Sequence, residues 1–258
     1  MHVTFINFFW IFLAATFAGA INSIAGGGAL IVFPTLLFVG LSPITANATS
    51  NTAMFVGTAA SAGGYLDQIK PHKSIVMKLS VASLVGSVIG AVLLLTTPET
   101  MFFKLVPFLI LTAALLFTFG GRLAGHFRQN DAPVVLTTAS LIGQFVISIY
   151  GGYFGAGQGF AILALLLLIG FKKIHEMNGI KSFLAACING IAVVPFVIAG
   201  AIAWPQAILM SVGAILGGFI GARLAQKVNP RRVRKAVLML AYAMTIYFFW
   251  KVYGSPNR

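Results

Sequence analysis

Two stretches of this sequence present bare backbone inside apolar surroundings. Gly26, Gly27 and Gly28 interrupt one of the most hydrophobic regions of the chain, and Gly155, Gly157 and Gly159, with Gln158 among them, do so again near the middle. Each break adjoins an apolar run of only 13 residues, 28–40 and 158–170, about 20 Å long as helix against a hydrocarbon core of about 30 Å. A helix that begins inside a membrane leaves its first N–H groups without intrahelical partners, and each costs several kcal/mol in hydrocarbon. Something polar must meet them. The positive end of the helix dipole favours an anion, and glycine lets that anion approach the backbone. Gly26 to Gly28 and Gly155 to Gly159 therefore read as two facing anion cradles. A single glycine run serves equally well for a tight turn or a close helix crossing. Its recurrence beside a second abnormally short segment turns the reading toward a site.

Polar side chains gather around both breaks. Asn22 and Ser23 precede the first, and Asn47, Thr49, Ser50, Asn51 and Thr52 follow its short segment into another apolar run. Tyr150, Tyr153 and Gln158 surround the second, with Asn178, Lys181, Ser182 and Asn189 beyond it. These are donors near expected helix starts, suited to an anion; for the hydroxyls, helix capping and interhelical hydrogen bonding stand beside substrate contact. Lys181 lies three residues into an apolar segment, where an ammonium costs about 3 kcal/mol at mid-membrane. Holding an anion and snorkelling to the headgroups are both open to it. His175 and Glu176 are the protonatable pair that would couple transport to protons, the plainer role being a loop salt bridge with Lys172 or Lys173.

Other chemistry finds no footing. There is no Walker loop, no HExxH and no plausible Ser/His/Asp order, so no enzyme activity and no cofactor are expected. The four acidic residues, Asp67, Glu99, Asp131 and Glu176, all lie in or beside connections, and Cys187 is the only cysteine, which leaves no metal site in view.

The elements that must position these residues follow from composition. Of 258 residues, 59% are hydrophobic and 8% charged, which describes a polytopic membrane protein. Ten hydrophobic segments fall at about 5–24, 28–40, 45–64, 74–96, 101–120, 133–154, 158–170, 178–200, 205–226 and 232–250, eight of them long enough to cross. The first lacks a basic flank and reads as a retained span rather than a signal peptide. The formal charge of +13 would suggest nucleic acid in a soluble chain. Here the basic residues sit in short connections, where they meet lipid headgroups, and nucleic acid is not an expected partner. Threading the segments alternately places 14 Lys and Arg on one side and 3 on the other, so both termini are expected outside the cytoplasm.

A shift of about 130 residues lays AGGGALIVFPTLLFVGL at 25–41 over GAGQGFAILALLLLIGF at 155–171. With one or two residues more, GSVIGA at 86–91 falls on GGFIGA at 217–222, and Pro98 on Pro230. Five segments per repeat is odd, so the second half must be upside down relative to the first. The expected fold is all-α and polytopic: two inverted-topology repeats, 1–124 and 125–258, each with a short glycine-interrupted half-helix. That pattern points to a secondary transporter with its site at the repeat interface near the midplane.

The stretches INSIAGGGALIVFPTLLFVGLSPITANATSN, GGYFGAGQGFAILALLLLIG and MNGIKSFLAACING resemble the paired signature of the TauE/SafE sulfite-exporter family, with the likeness running over roughly residues 15–250. The resemblance implies a bacterial inner-membrane permease for sulfite, sulfoacetate or related sulfur-containing anions, often outward; in such a membrane the charge split puts both termini in the periplasm. The second half departs from the first in carrying GAGQG for AGGG and Ala164 for Pro34, so the cradles are not equivalent. The expectation is alternating access, with substrate between Gly26–Gly28 and Gly155–Gly159. An anion channel, or a transporter of another small organic anion, is the alternative; homo-oligomerisation is left open.

Overall fold

The computed structural model describes residues 5–24, 27–126, 134–224 and 230–254, and every regular element among them is helical. The first half supplies α1 (Phe5–Ile24), α2 (Ala29–Phe38), α3 (Pro43–Gly63), the single turn α4 (Leu66–Ile69), α5 (Lys73–Thr96) and α6 (Glu99–His126). The second supplies α7 (Thr138–Tyr153), α8 (Gln158–Ile169), α9 (Ile174–Ile198), α10 (Trp204–Leu224) and α11 (Pro230–Tyr253). A 3-10 turn, Lys70–His72, joins α4 to α5.

Among the described residues, five stretches are long and apolar enough to cross a membrane: 66–96, 99–119, 174–198, 204–221 and 235–253. Eight were expected, and α1, α3 and α7 are not among the five. α1 is nevertheless 20 residues long and predominantly apolar, a length that can cross. In α7 there are 16 residues, because 134–137 precede the helix in non-helical conformation. In α3 there are 21 residues, but Asn, Thr and Ser run through its buried side. The protein tolerates so polar a helix by enclosing it: α3 packs against α2, α9 and α10. Apolar side chains such as Val81, Val85 and Val92 of α5, and Ile208, Val212 and Leu216 of α10, face outward, as a multi-pass membrane protein requires.

The short helices α2 and α8 end alike. Gly40 (φ +91°) and Gly170 (φ +109°) take the left-handed conformation. Gly40 N–H donates to the Leu37 carbonyl and Leu41 N–H to that of Leu36; Gly170 and Phe171 repeat the pair on Leu167 and Leu166. These Schellman closures satisfy the last carbonyls of both short helices. At its other end α8 folds back on α7: Val135 N–H donates to the Ile169 carbonyl at 3.1 Å, so the bend at 154–157 is the far end of a helical hairpin. Likewise α2 starts against α1, where a Cβ on Gly28 would strike the Ala18 carbonyl.

The long helices close the bundle in corresponding pairs. α1 runs along α10 and α7 along α5; α3 packs on α10 and α9 on α5; α3 meets α9, and α6 meets α11. Exchanging α1, α2, α3, α5 and α6 for α7 to α11 maps this set of contacts onto itself. The closest crossings fall on the two glycine motifs: a Cβ on Gly90 would run into the Ile149 carbonyl of α7, and one on Gly217 into the Thr16 carbonyl of α1.

Candidate functional site

The N-termini of α2 and α8 meet α3 and α9 at a cavity of about 30 Å³, room for roughly two water molecules. Positive φ at Gly27 (+96°), Gly155 (+78°) and Gly157 (+82°) shapes both approaches. Only glycine holds such angles without cost, and here space is also short. A Cβ on Gly27 would lie 2.8 Å from the Phe160 ring of α8, and one on Gly157 2.6 Å from Cβ of Ala113 in α6. Each break is thus fitted to a neighbouring helix as well as to the cavity.

Hydrogen bonds fix the second break. Tyr150 donates its hydroxyl to the Ala156 carbonyl at 2.7 Å, and Gly155 N–H donates to the Tyr150 carbonyl at 3.3 Å. Asn47 of α3 donates Nδ2 to the Tyr153 carbonyl at 2.9 Å, tying the end of α7 to the first half of the chain. Gln158, at the start of α8, donates Nε2 to Asn189 Oδ1 of α9 at 2.6 Å. Its orientation is therefore set before any ligand arrives.

Two donors at the cavity are left for something else. Asn51 is 2% exposed, and its Nδ2 has no hydrogen-bond partner among the described residues. Lys181 is 3% exposed, its stem passes along Gly159, and its Nζ lies 3.4 Å from Asn178 Oδ1. No carboxylate lines the cavity, and among the described residues Lys181 forms no ion pair. The bland role of headgroup snorkelling does not describe this side chain. Segment 178–200 starts earlier than its hydropathy indicates, at Ile174, which puts Lys181 two turns inside α9 rather than at its start. A buried cation without a counter-charge is costly and asks for a negative ligand, while Gln158 Oε1, also buried there without a hydrogen-bond partner among the described residues, is an acceptor left open beside it.

Of the residues singled out from sequence, Asn22, Gly27, Gly28 and Asn51 line the cavity from the first half, and Gly155, Gly157, Gln158, Gly159, Lys181, Ser182 and Asn189 from the second. Ser23, Asn47, Thr49, Ser50, Thr52, Tyr150, Tyr153 and Asn178 lie outside it. Asn47 braces α7, and Thr49 accepts from Ala203 N–H at 3.0 Å, joining α3 to the loop before α10. Ser50 is buried away from the cavity, and Asn178 reaches it only through Lys181. Gly26 lies outside the described residues. Met54, Thr58 and Ala185 line the cavity and were not singled out. Thr58 had a legible signal, since it stands two turns beyond Asn51 on one helical face.

The protonatable pair is divided. His175 is exposed, whereas Glu176 lies 3.1 Å from Lys173 Nζ and 3.2 Å from Nε2 of His72. The His72 contact is off the line of a good hydrogen bond. His72 also sets its ring edge against Phe171, centroids 4.9 Å apart. This cluster pins the connection before α5, with Tyr65 and Ile69 packed on Gly179, over the start of α9. It lies apart from the cavity lining.

The comparisons with known proteins agree in kind. Residues 11–248 match the family described as Sulfite exporter TauE/SafE. Over 241 residues the chain is 30% identical to the "Probable membrane transporter protein ORF9" of Sinorhizobium sp, covering 92% of this chain and 90% of that one. Over 250 residues it is 29% identical to the "Probable membrane transporter protein YfcA" of Escherichia coli strain K12, covering 95% and 90%. A Bacillus subtilis protein, "Probable membrane transporter protein YunE", is 24% identical over 257 residues, covering 89% and 94%. No solved structure matches the chain.

Proposed function

This chain belongs to the TauE/SafE family of membrane transporters, and from that membership we propose that it carries small sulfur-containing anions, sulfite or compact sulfonates, by alternating access. The observation that carries the anion assignment is Lys181, buried at the cavity with no acidic partner, where two helix N-termini and the free amide of Asn51 converge. Sulfur oxyanions present several acceptor oxygens to such a donor set and bring the missing negative charge. The cavity's small volume favours a compact anion. Larger sulfonates such as sulfoacetate require it to widen.

The inverted-repeat reading, with halves 1–124 and 125–258, is supported by the self-mapping helix contacts and the matching ends of α2 and α8. In this account the two halves rock about the cavity, opening it to each side in turn. The excess of Lys and Arg in the connections around 70, 125, 172 and 230 supports a cytoplasmic position for them, and with it a periplasmic position for both termini in a bacterial inner membrane.

The test is uptake of radiolabelled sulfite and sulfoacetate into proteoliposomes. Saturable flux and counterflow exchange are expected of the wild type. Gly27→Val, which drives a branched side chain into the Phe160 ring, and Lys181→Ala should each abolish flux while the protein still inserts. Wild-type flux in Gly27→Val would refute the cradle, and ohmic single-channel currents would refute the carrier.

A further inference from the structure

Resting on that reading, we propose that Lys181 also carries a proton: the transporter moves a monovalent sulfur oxyanion together with H⁺, and the ammonium of Lys181 is where that proton rides. The packed elements face Lys181 with neutral groups, Asn51 and Thr58 from α3, Gly159 from α8, and Asn178 and Ser182 from its own helix. The titratable side chains nearest along the packed elements are Tyr65, against Gly179, Cys187, one and a half turns further along α9, and Glu176, held by His72 and Lys173. None supplies a counter-charge to Nζ.

When an anion is bound, ammonium and anion cancel, and the closed, loaded site is neutral. Once the anion leaves, a carrier still bearing the ammonium would have to turn over with an uncompensated charge in an apolar enclosure, which is costly. A lysine can avoid this as no arginine can, by giving up its proton. On the loading side the neutral amine takes H⁺ from the water as the anion enters. On the release side the anion leaves, the N–H bond breaks and the proton goes to water, so the empty carrier returns neutral. The cycle is electroneutral and moves one anion with one proton. His175 and Glu176 have no part in it, since both lie away from the cavity.

The probe is radiolabelled methanesulfonate, compact, monovalent and ionised at every working pH, in proteoliposomes of the full chain with the membrane potential clamped at zero. With the interior one pH unit more alkaline than the exterior, the wild type should accumulate the probe toward about tenfold, and with equal pH it should only equilibrate. Lys181→Arg, permanently charged, should lose the pH-driven accumulation, with its folding checked separately by size-exclusion chromatography and melting in detergent. Sulfite exchange in the wild type without methanesulfonate flux, methanesulfonate flux indifferent to the gradient, or pH-driven accumulation by Lys181→Arg would each overturn the proton role while leaving the anion carrier standing. Loss of flux for both sulfite and methanesulfonate in the wild type would overturn the proposed function and this inference with it. Should Lys181→Arg fail to fold, the wild-type gradient experiment decides alone.

Discussion

Replacing Gly157 by alanine separates the two demands made on the glycine at the start of α8. Its φ of +82° costs an alanine about 1–2 kcal/mol. Its new Cβ would lie 2.6 Å from Cβ and 3.0 Å from Cα of Ala113. Carbon atoms prefer about 3.5–4.0 Å, so the start of α8 must retreat from α6 by about 1 Å. Overpacking of that kind costs about 1–3 kcal/mol, giving a total of about 2–5 kcal/mol. Two companions divide the effects. Gly200 shares the backbone conformation (φ +64°) but has nothing within 4 Å of its Cβ position, so Gly200→Ala should cost only about 1–2 kcal/mol. Gly63 ends α3 with ordinary φ and open space around it, so Gly63→Ala should be neutral or gain up to about 1 kcal/mol. In mild detergent, melting followed by tryptophan fluorescence should rank Gly63→Ala at or above wild type, Gly200→Ala below it, and Gly157→Ala lowest, by about 4–20 °C. Sulfite should raise the melting temperature of wild type and Gly200→Ala but not of Gly157→Ala. If Gly157→Ala melts no lower than Gly200→Ala, close approach to α6 is not what this glycine serves.

Three further outcomes follow from single contacts. Asn51→Leu removes the unpartnered donor at the cavity; losing a hydrogen bond to a charged ligand, about 1.5–3 kcal/mol, should weaken anion binding about 10- to 150-fold in calorimetry on folded protein. Ser87→Ala deletes the 2.6 Å bond from Ser87 Oγ to the Ile188 carbonyl, which joins α5 to α9, and should lower stability by about 1 kcal/mol without changing affinity. Glu176→Gln removes the charge that Lys173 and His72 share, so the connection before α5 should lift from α9 more often. A cysteine at position 182, in a Cys187→Ala background, should then be labelled faster from the face bearing Lys70, and unchanged labelling would show that the cluster does not hold this connection down.

Much of the arrangement was legible in sequence because glycine and apolar run length report backbone demands directly. The short helices, their breaks and the recurrence 130 residues on could be read because Gly27, Gly40, Gly157 and Gly170 each mark a left-handed turn at a helix end. The extent of α9 was not legible: Ile174 to Met177 read as a polar loop with His175 and Glu176, yet they form its first turn. Starting the helix there sets Lys181 two turns in, where its side chain lines the cavity. The roles of Asn47 and Thr49 were hidden for another reason. Each bonds to a backbone group more than 100 positions away, on Tyr153 and Ala203, and no local pattern announces such a partner. Hydropathy likewise overstated the α7 segment, because it counts apolar residues such as Val134 and Val135 that precede the helix.

The polar character of α3 has a consequence for biogenesis. A segment bearing Asn47, Thr49, Ser50, Asn51 and Thr52 gains little from hydrocarbon on its own, and two of the helices that enclose it, α9 and α10, are synthesised later. At translation rates of about 5–20 residues per second, the ribosome needs roughly 10 to 30 s after completing α3 to deliver the whole of α10. Through that interval α3 must be sheltered by the insertion machinery or wait at the membrane surface. The upstream portion of the polypeptide therefore acquires its final seat in the bilayer only after the downstream portion has been made.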